Sequence, residues 1–302
     1  MSNLQKLVSD AKQWVEQERV WDDSLFASSS PRSERAREEV SESKGVRSAP
    51  PPVLPRSRAP SPAKAAALKE LYVRYKDCTR CPLGFTRIKF VFGVGSPDAE
   101  VLFIGEGPGY EEDHRGEPFV GKAGQLLDKM LEAIGMSRRT NAYIANIVKC
   151  HAMVNPQSPE VRGNDRPPNP EEVETCAPIL LQQIKIIMPR VVVTLGSPST
   201  KMILKTKDGI TSLRGRYFPF PVSEHFSTAR NAPAEVPLFE EERPKEKDDA
   251  QILLHLSDLE RAELAKIQVL PTYHPAALLR NPNLKPESWA DLKLLRESLN
   301  HP

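Results

Sequence analysis

From Lys64 onward the chain alternates apolar runs with amphipathic segments, and this alternation constrains the fold more than any other feature. "AEVLFIG" predicts a buried strand from Val101 to Ile104, and "AGQLLDKMLEAIGM" an amphipathic helix ending near Gly135. "AYIANIVKC" predicts a second strand. "NPEEVETCAPILLQQIKIIMP" predicts a helix opened by Asn169, with Pro170 just inside its first turn. "RVVVTLG" is a third strand followed by a helix from Pro198, and "IQVLPTYHP" leads into a last helix, "PESWADLKLLRESL". Apolar strands separated by helices must be covered on both faces, so the expected fold class is α/β with a parallel sheet. Ligands of such sheets sit at the carboxyl ends of the strands. The loops of interest are therefore "GEGPGYEED", "NIVKC", "LGS" and "TYHPAALLR".

The flanks read differently. Residues 22 to 64 are Ser, Pro and charge with little to bury, so chain entropy wins and disorder is expected. Before them, Leu4, Leu7, Val8, Ala11, Trp14 and Val15 form one helical stripe, which suits either loose packing on the body or a protein partner. The expected organisation is thus residues 1–64 as helix plus linker, and 65–302 as one domain with a polar insertion at about 222–266. Many of the 29 prolines lie in tails and loops. A net charge of +2, from 42 basic and 40 acidic residues, neither demands nor excludes a nucleic-acid partner. The start lacks a basic segment followed by an apolar one, and the longest apolar stretch is broken by Gln182, Gln183, Lys185 and Arg190. The expectation is a soluble cytoplasmic protein without a membrane partner.

Within "GEPFVGKAGQLL" the spacing G-x4-G-K imitates a phosphate-binding loop. That chemistry needs Ser or Thr after the lysine and a buried strand before the loop. Ala123 follows Lys122, and the polar "GYEEDHR" precedes Gly116, so nucleotide hydrolysis is excluded as its purpose. The cysteines offer other chemistry. Cys78 and Cys81 form C-x2-C, Cys150 ends a predicted strand, and Cys176 lies early in the next helix. Four thiolates suit Zn²⁺ or an iron–sulfur cluster. Only the first pair is tight, which leans toward [4Fe–4S], whereas buried structural thiols are the plain alternative for the second pair.

Taken in order, "CTRCPLG", "VFGVGSPDAEVLFIGEGPGYEED", "GEPFVGKAGQLLDKML", "NIVKC", "VVVTLG" and "PTYHPAALLR" resemble the family 4 uracil-DNA glycosylases. The resemblance covers roughly residues 66–222 and 266–299. It implies a three-layer α/β/α sandwich with a short parallel sheet, a [4Fe–4S] cluster on Cys78, Cys81, Cys150 and Cys176, and uracil-containing DNA, single- or double-stranded, as substrate. A non-catalytic DNA-binding scaffold, and a glycosylase with altered base choice such as hypoxanthine, are the alternatives.

Base excision needs a pocket that repays extrusion of the nucleotide through stacking and edge recognition. The resemblance gives Phe119 the stacking role. Asn146 is expected to read uracil, donating to O4 and accepting from N3–H, a pattern that cytosine inverts. His274 is expected to donate to uracil O2 as the leaving anion forms, and Glu106 to orient water and face the cationic sugar. Gly107 stands where related families place an aspartate, with Glu111, Glu112 and Asp113 as neighbouring acids. The resemblance sets Glu112 beside uracil C5. Ser197 at a helix start and Arg280 are expected on phosphates, and Leu278 or Leu279 in the vacated base stack, Leu279 being preferred. The long link "HAMVNPQSPEVRGNDRPPNPEE" reads as a loop insertion, which costs little.

Overall fold

The computed structural model describes residues 61–226 and 256–300. The N-terminal stripe, the linker, most of the expected insertion and the last two residues lie outside the described residues.

Six strands form one sheet: β1 (Val94–Gly95), β2 (Val101–Gly105), β3 (Ala142–Asn146), β4 (Val191–Leu195), β5 (Phe218–Pro219) and β6 (Gln268–Thr272), in the order β1-β3-β2-β4-β6-β5. The four central strands pair in parallel, with Gly105 opposite Asn146 at the carboxyl ends of β2 and β3. Nearly every residue of these strands is buried, as the continuous apolar runs require. Alternate side chains enter opposite layers. Leu102, Ile104, Val192 and Val269 join one core, and Val101, Phe103, Val193 and Leu270 the other.

The first core is covered by α1 (Pro62–Tyr75) and α4 (Pro170–Ile187), through Leu68, Leu71, Ile179, Leu180 and Ile184. The second is covered by α3 (Lys122–Ala133) and α10 (Lys285–Asn300), through Leu127, Met130, Leu131, Trp289, Leu292 and Leu295. Between these lie the short helices α2 (Tyr110–Arg115), α5 (Ser197–Leu204), α6 (Ile210–Leu213), α7 (Val222–His225), α8 (Asp258–Leu264) and α9 (Pro275–Arg280). Helix α4 opens as expected: Asn169 accepts from Glu172 N at 2.8 Å while Glu172 reaches back to Asn169 N at 2.8 Å. The arrangement is the three-layer α/β/α fold.

Three details sharpen this outline. The sheet is not wholly parallel, because the two-residue edges β1 and β5 run antiparallel and are too short to carry an apolar period. The body begins before residue 65: α1 starts at Pro62, capped by Ser61, and three of its residues are buried. The polar insertion is narrower than 222–266, since Val222, Phe226, Leu256 and Leu264 are buried in the first core.

Candidate active site

The carboxyl ends of β2, β3 and β6 open into a cavity of about 570 Å³. Glu106, Gly107, Glu112, Phe119, Asn146 and His274 all line it.

Phe119 occupies a left-handed conformation (φ 54°), which is strained for a residue with a Cβ. Two side chains hold the loop around it. One oxygen of Glu112 accepts from Val120 N (2.9 Å) and Gly121 N (3.0 Å), the other from Gly109 N (3.2 Å). On the other side Arg138 donates to the carbonyls of Pro118 and Phe119, both at 2.7 Å, and is itself held by Asp128. Gly124 lies directly behind, where a Cβ would come within 1.8 Å of Phe119 O. The sequence stretch that imitated a phosphate loop is therefore a braced aromatic wall.

Asn146 is the last residue of β3 and is 2% exposed. Its Oδ1 is buried without a hydrogen-bond partner. An unsatisfied buried carbonyl costs about 1–3 kcal/mol, so this atom stands ready for a donor from a ligand. Gly105 opposite permits the approach: a Cβ there would meet Asn146 Oδ1 at 2.4 Å and Phe119 Cζ at 2.6 Å. Below the strand end, the wholly buried Lys149 donates through Nζ to Asn146 O (2.8 Å) and to Gln183 Oε1 (2.6 Å), and burial pushes its ammonium down to about 7.

His274 caps α9. Its Nδ1 accepts from Ala276 N at 3.1 Å, which places the proton of the neutral ring on Nε2. Burial, with Arg280 adding to it, pushes the imidazole down to about 4. The ring is thus an uncharged donor near neutral pH. Its centroid is 5.4 Å from that of Phe119.

Among the acids, Glu106 is the one free to act. It is half-buried, burial raises it above the usual carboxylate range, and its carboxylate has no hydrogen-bond partner among the described residues. Glu111 is ion-paired with Arg162. Both oxygens of Glu112 are taken by backbone N–H groups, so it braces the wall rather than offering a free carboxylate. Asp113 is fully buried, accepting from Ile88 N and Lys89 N. Gly107 faces Pro168 at ordinary contact distance, so a side chain there would fit.

The remaining expected residues are outside the lining. Ser197 and Arg280 do not line the cavity. Gly196, beside Ser197, packs on His274, where a Cβ would approach at 3.0 Å. The two candidate leucines differ in packing: Leu278 is fully buried, whereas Leu279 is 47% exposed.

The link between Cys150 and Cys176 was legible only as an insertion, yet it supplies a wall of the cavity through Ala152, Arg162, Asp165 and Arg166. It is internally ordered. Asn164 donates to Asn155 O and Ser158 O, His151 bonds Asp165 at 2.7 Å, and Arg166 pairs with Glu172. Cation and ring also meet here, Arg162 lying 4.6 Å from the centroid of Tyr110. Except for Arg162 with Tyr110, these contacts are local but irregularly spaced, which is why no sequence period signals them.

The cysteines gather at one edge of the first core. Arg87 donates to Cys78 O (2.6 Å) and reaches Cys150 Sγ (3.5 Å), Arg80 donates to Thr175 O beside Cys176, and Lys149 N donates to Cys176 Sγ (3.3 Å). Gly84 lets the C-x2-C turn close, since a Cβ would lie 2.5 Å from Cys78 O. All four are free thiols. Burial pushes Cys176 up to about 11 and raises Cys81 and Cys150. Among the described residues, no three Cys, His, Asp or Glu side chains form a single-ion group. The donor set is all sulphur, packed on the first core, flanked by the Arg87 guanidinium and closed by glycine, which fits a sulphur-ligated group.

Comparison with known proteins agrees with this geometry. The Uracil DNA glycosylase superfamily matches residues 92–293. The chain is similar to the type-4 uracil-DNA glycosylase of Sulfurisphaera tokodaii, 34% identical over 76% of this chain and 84% of the relative. It is equally similar, at 34%, to the type-4 enzyme of Archaeoglobus fulgidus, over 76% of this chain and 92% of that one. To its counterpart in Thermotoga maritima it is 44% identical over 47% of this chain and 69% of the relative. With the sheet, the cavity and these matches together, the chain belongs to the type-4 uracil-DNA glycosylases of the Uracil DNA glycosylase superfamily.

Proposed function

We infer that the protein is a DNA-repair glycosylase that turns uracil out of DNA and hydrolyses the N-glycosidic bond, leaving an abasic site. The observation that carries this reading is the orphaned Oδ1 of Asn146, buried at a cavity that the Phe119 ring and the neutral, Nε2-protonated His274 also line.

In this reading the extruded base stacks on Phe119. Asn146 accepts from N3–H and donates to O4, whereas cytosine would face it with an acceptor at N3 and a donor at N4. As the C1′–N1 bond breaks, its electron pair passes to uracil, and His274 Nε2–H donates to O2 of the forming anion. Glu106 faces the cationic sugar and takes a proton from the water whose oxygen bonds to C1′. Glu112 excludes a 5-methyl group indirectly, by fixing the wall that such a group would strike. Ser197 and Arg280 contact phosphates, and Leu279 enters the vacated stack.

A [4Fe–4S] cluster would be held by Cys78, Cys81, Cys150 and Cys176. It would supply a structural cross-link between the Cys78–Cys81 turn, the segment after β3 and α4, with zinc as the lesser alternative. The four free thiols suit a reducing, cytoplasmic compartment.

Release of free uracil from single- and double-stranded uracil oligonucleotides tests the reading. An intact, metal-loaded protein that releases none would favour the scaffold, and release only from a hypoxanthine substrate would favour altered base choice.

A further inference from the structure

We propose that Lys149 is a positioning residue, whose buried side chain fixes the base-reading Asn146 and ties it to the cysteine site. The inference rests on the role given to Asn146 above.

The side chain of Asn146 makes no hydrogen bond through Oδ1, so no protein partner of that atom orients the amide before the base arrives. Its direction is set by its backbone and by packing against Gly105 and Phe119. Strand β3 ends at this residue, and the chain then turns toward Cys150. The carbonyl at that end is held by Lys149 Nζ at 2.8 Å.

Lys149 is anchored in turn. Gln183, on α4, takes a second hydrogen bond from Nζ at 2.6 Å, and its own Nε2 donates to Phe92 O (3.1 Å) and Tyr143 Oη (3.4 Å). The backbone N–H of Lys149 donates to Cys176 Sγ, and Cys150 follows directly. A lysine at 0% exposure is costly unless paired, and both its partners are positional elements. Lys149 is fully buried and is not among the residues that line the cavity. A shift of Cys150 or Cys176 would therefore be transmitted through Lys149 to the amide that reads the base.

A double-mutant cycle on the full chain tests this, using preparations matched for iron content and thermal midpoint. Single-turnover uracil release is measured for the parent, Lys149→Met, Asn146→Ala and the double variant. Lys149→Met should slow release about tenfold, yet by less than about twofold in the Asn146→Ala background, because both losses act through one group. Free uracil, titrated calorimetrically, should bind more weakly to Lys149→Met, with no further weakening in the double variant. Additive losses, or a Lys149→Met protein as active as the parent, overturn the proposal. If Lys149→Met fails to fold, Gln183→Leu removes the anchor instead and should give the same non-additive pattern, and additivity there is equally fatal. A parent that releases no uracil would defeat the functional reading itself. A parent active and Asn146-dependent, with additive Lys149 effects, defeats this inference alone.

Discussion

The ring centroids of Phe119 and His274 lie 5.4 Å apart with the planes at 33°, so the proposed stacking wall and the proposed leaving-group donor are neighbours. Neither is free to move alone. The strained backbone of Phe119 is held from both sides by Glu112 and Arg138, and that bracing therefore extends to the imidazole.

This contact gives the first prediction. Phe119→Ala removes a stacking surface worth about 1–3 kcal/mol per base, and it also releases the imidazole. Both substrate affinity and the single-turnover rate should fall, whereas an isolated stacking platform would change affinity alone. Rapid-quench kinetics across enzyme concentration separates the two.

Removal of the imidazole should act on chemistry only. His274→Ala takes away one donor to the developing anion, a loss of about 10²–10³ in rate, with little change in oligonucleotide affinity. Gel-shift and quench measurements on the same preparation check it.

The acid dependence follows from two groups. His274 is depressed to about 4 from the ordinary 6.5, so it is uncharged across the neutral range. The rate should then show no inflection at 6.5. It should fall only in the acid, where Glu106, raised by burial, takes up its proton and His274 is finally charged. Stability changes in the same sense. Between 6.5 and about 4 the unfolded chain binds the imidazole proton and the folded one does not, so this contribution is lost as pH falls through that window. An inflection near 6.5 that disappears in His274→Asn would contradict the assignment.

Glu112 should behave as a brace. Glu112→Ala leaves the N–H groups of Gly109, Val120 and Gly121 without their acceptor, and stability should drop by about 1–3 kcal/mol. Glu112→Gln, which keeps an acceptor, should recover most of it. Thermal denaturation followed with uracil release distinguishes a brace from a catalytic carboxylate, for which Gln would fail as fully as Ala.

Cluster loss is the last prediction. Cys78→Ser, or chelation, should abolish visible absorbance and lower the thermal midpoint, because the link between the start of the body, the turn after β3 and α4 is gone. A colourless parent carrying one zinc per chain would replace the cluster assignment.

The periodic elements were legible in the sequence because they need only local information. Four apolar runs became the four parallel strands, and Asn169 with Pro170 marked the start of α4 to the residue. The edge strands β1 and β5 were not legible, since two residues carry no period. Motif order also singled out Phe119, Asn146, His274 and Glu106, which the fold brings to the lining of one cavity. What the sequence left open was competition between similar groups. Of the acids at positions 106, 111, 112 and 113, only packing shows that three are engaged elsewhere. Of Leu278 and Leu279, only burial picks the exposed one. Arg138, Lys149 and the loop around Arg162 gave no signal, because their hydrogen bonds follow no repeating spacing and depend on side-chain directions that only the packed chain sets. Local sequence determined the strands, the helices and the chemistry on offer. The tertiary structure decided which oxygen stays unpaired and which is consumed in holding the others still, since burial and partners are properties of the packed whole.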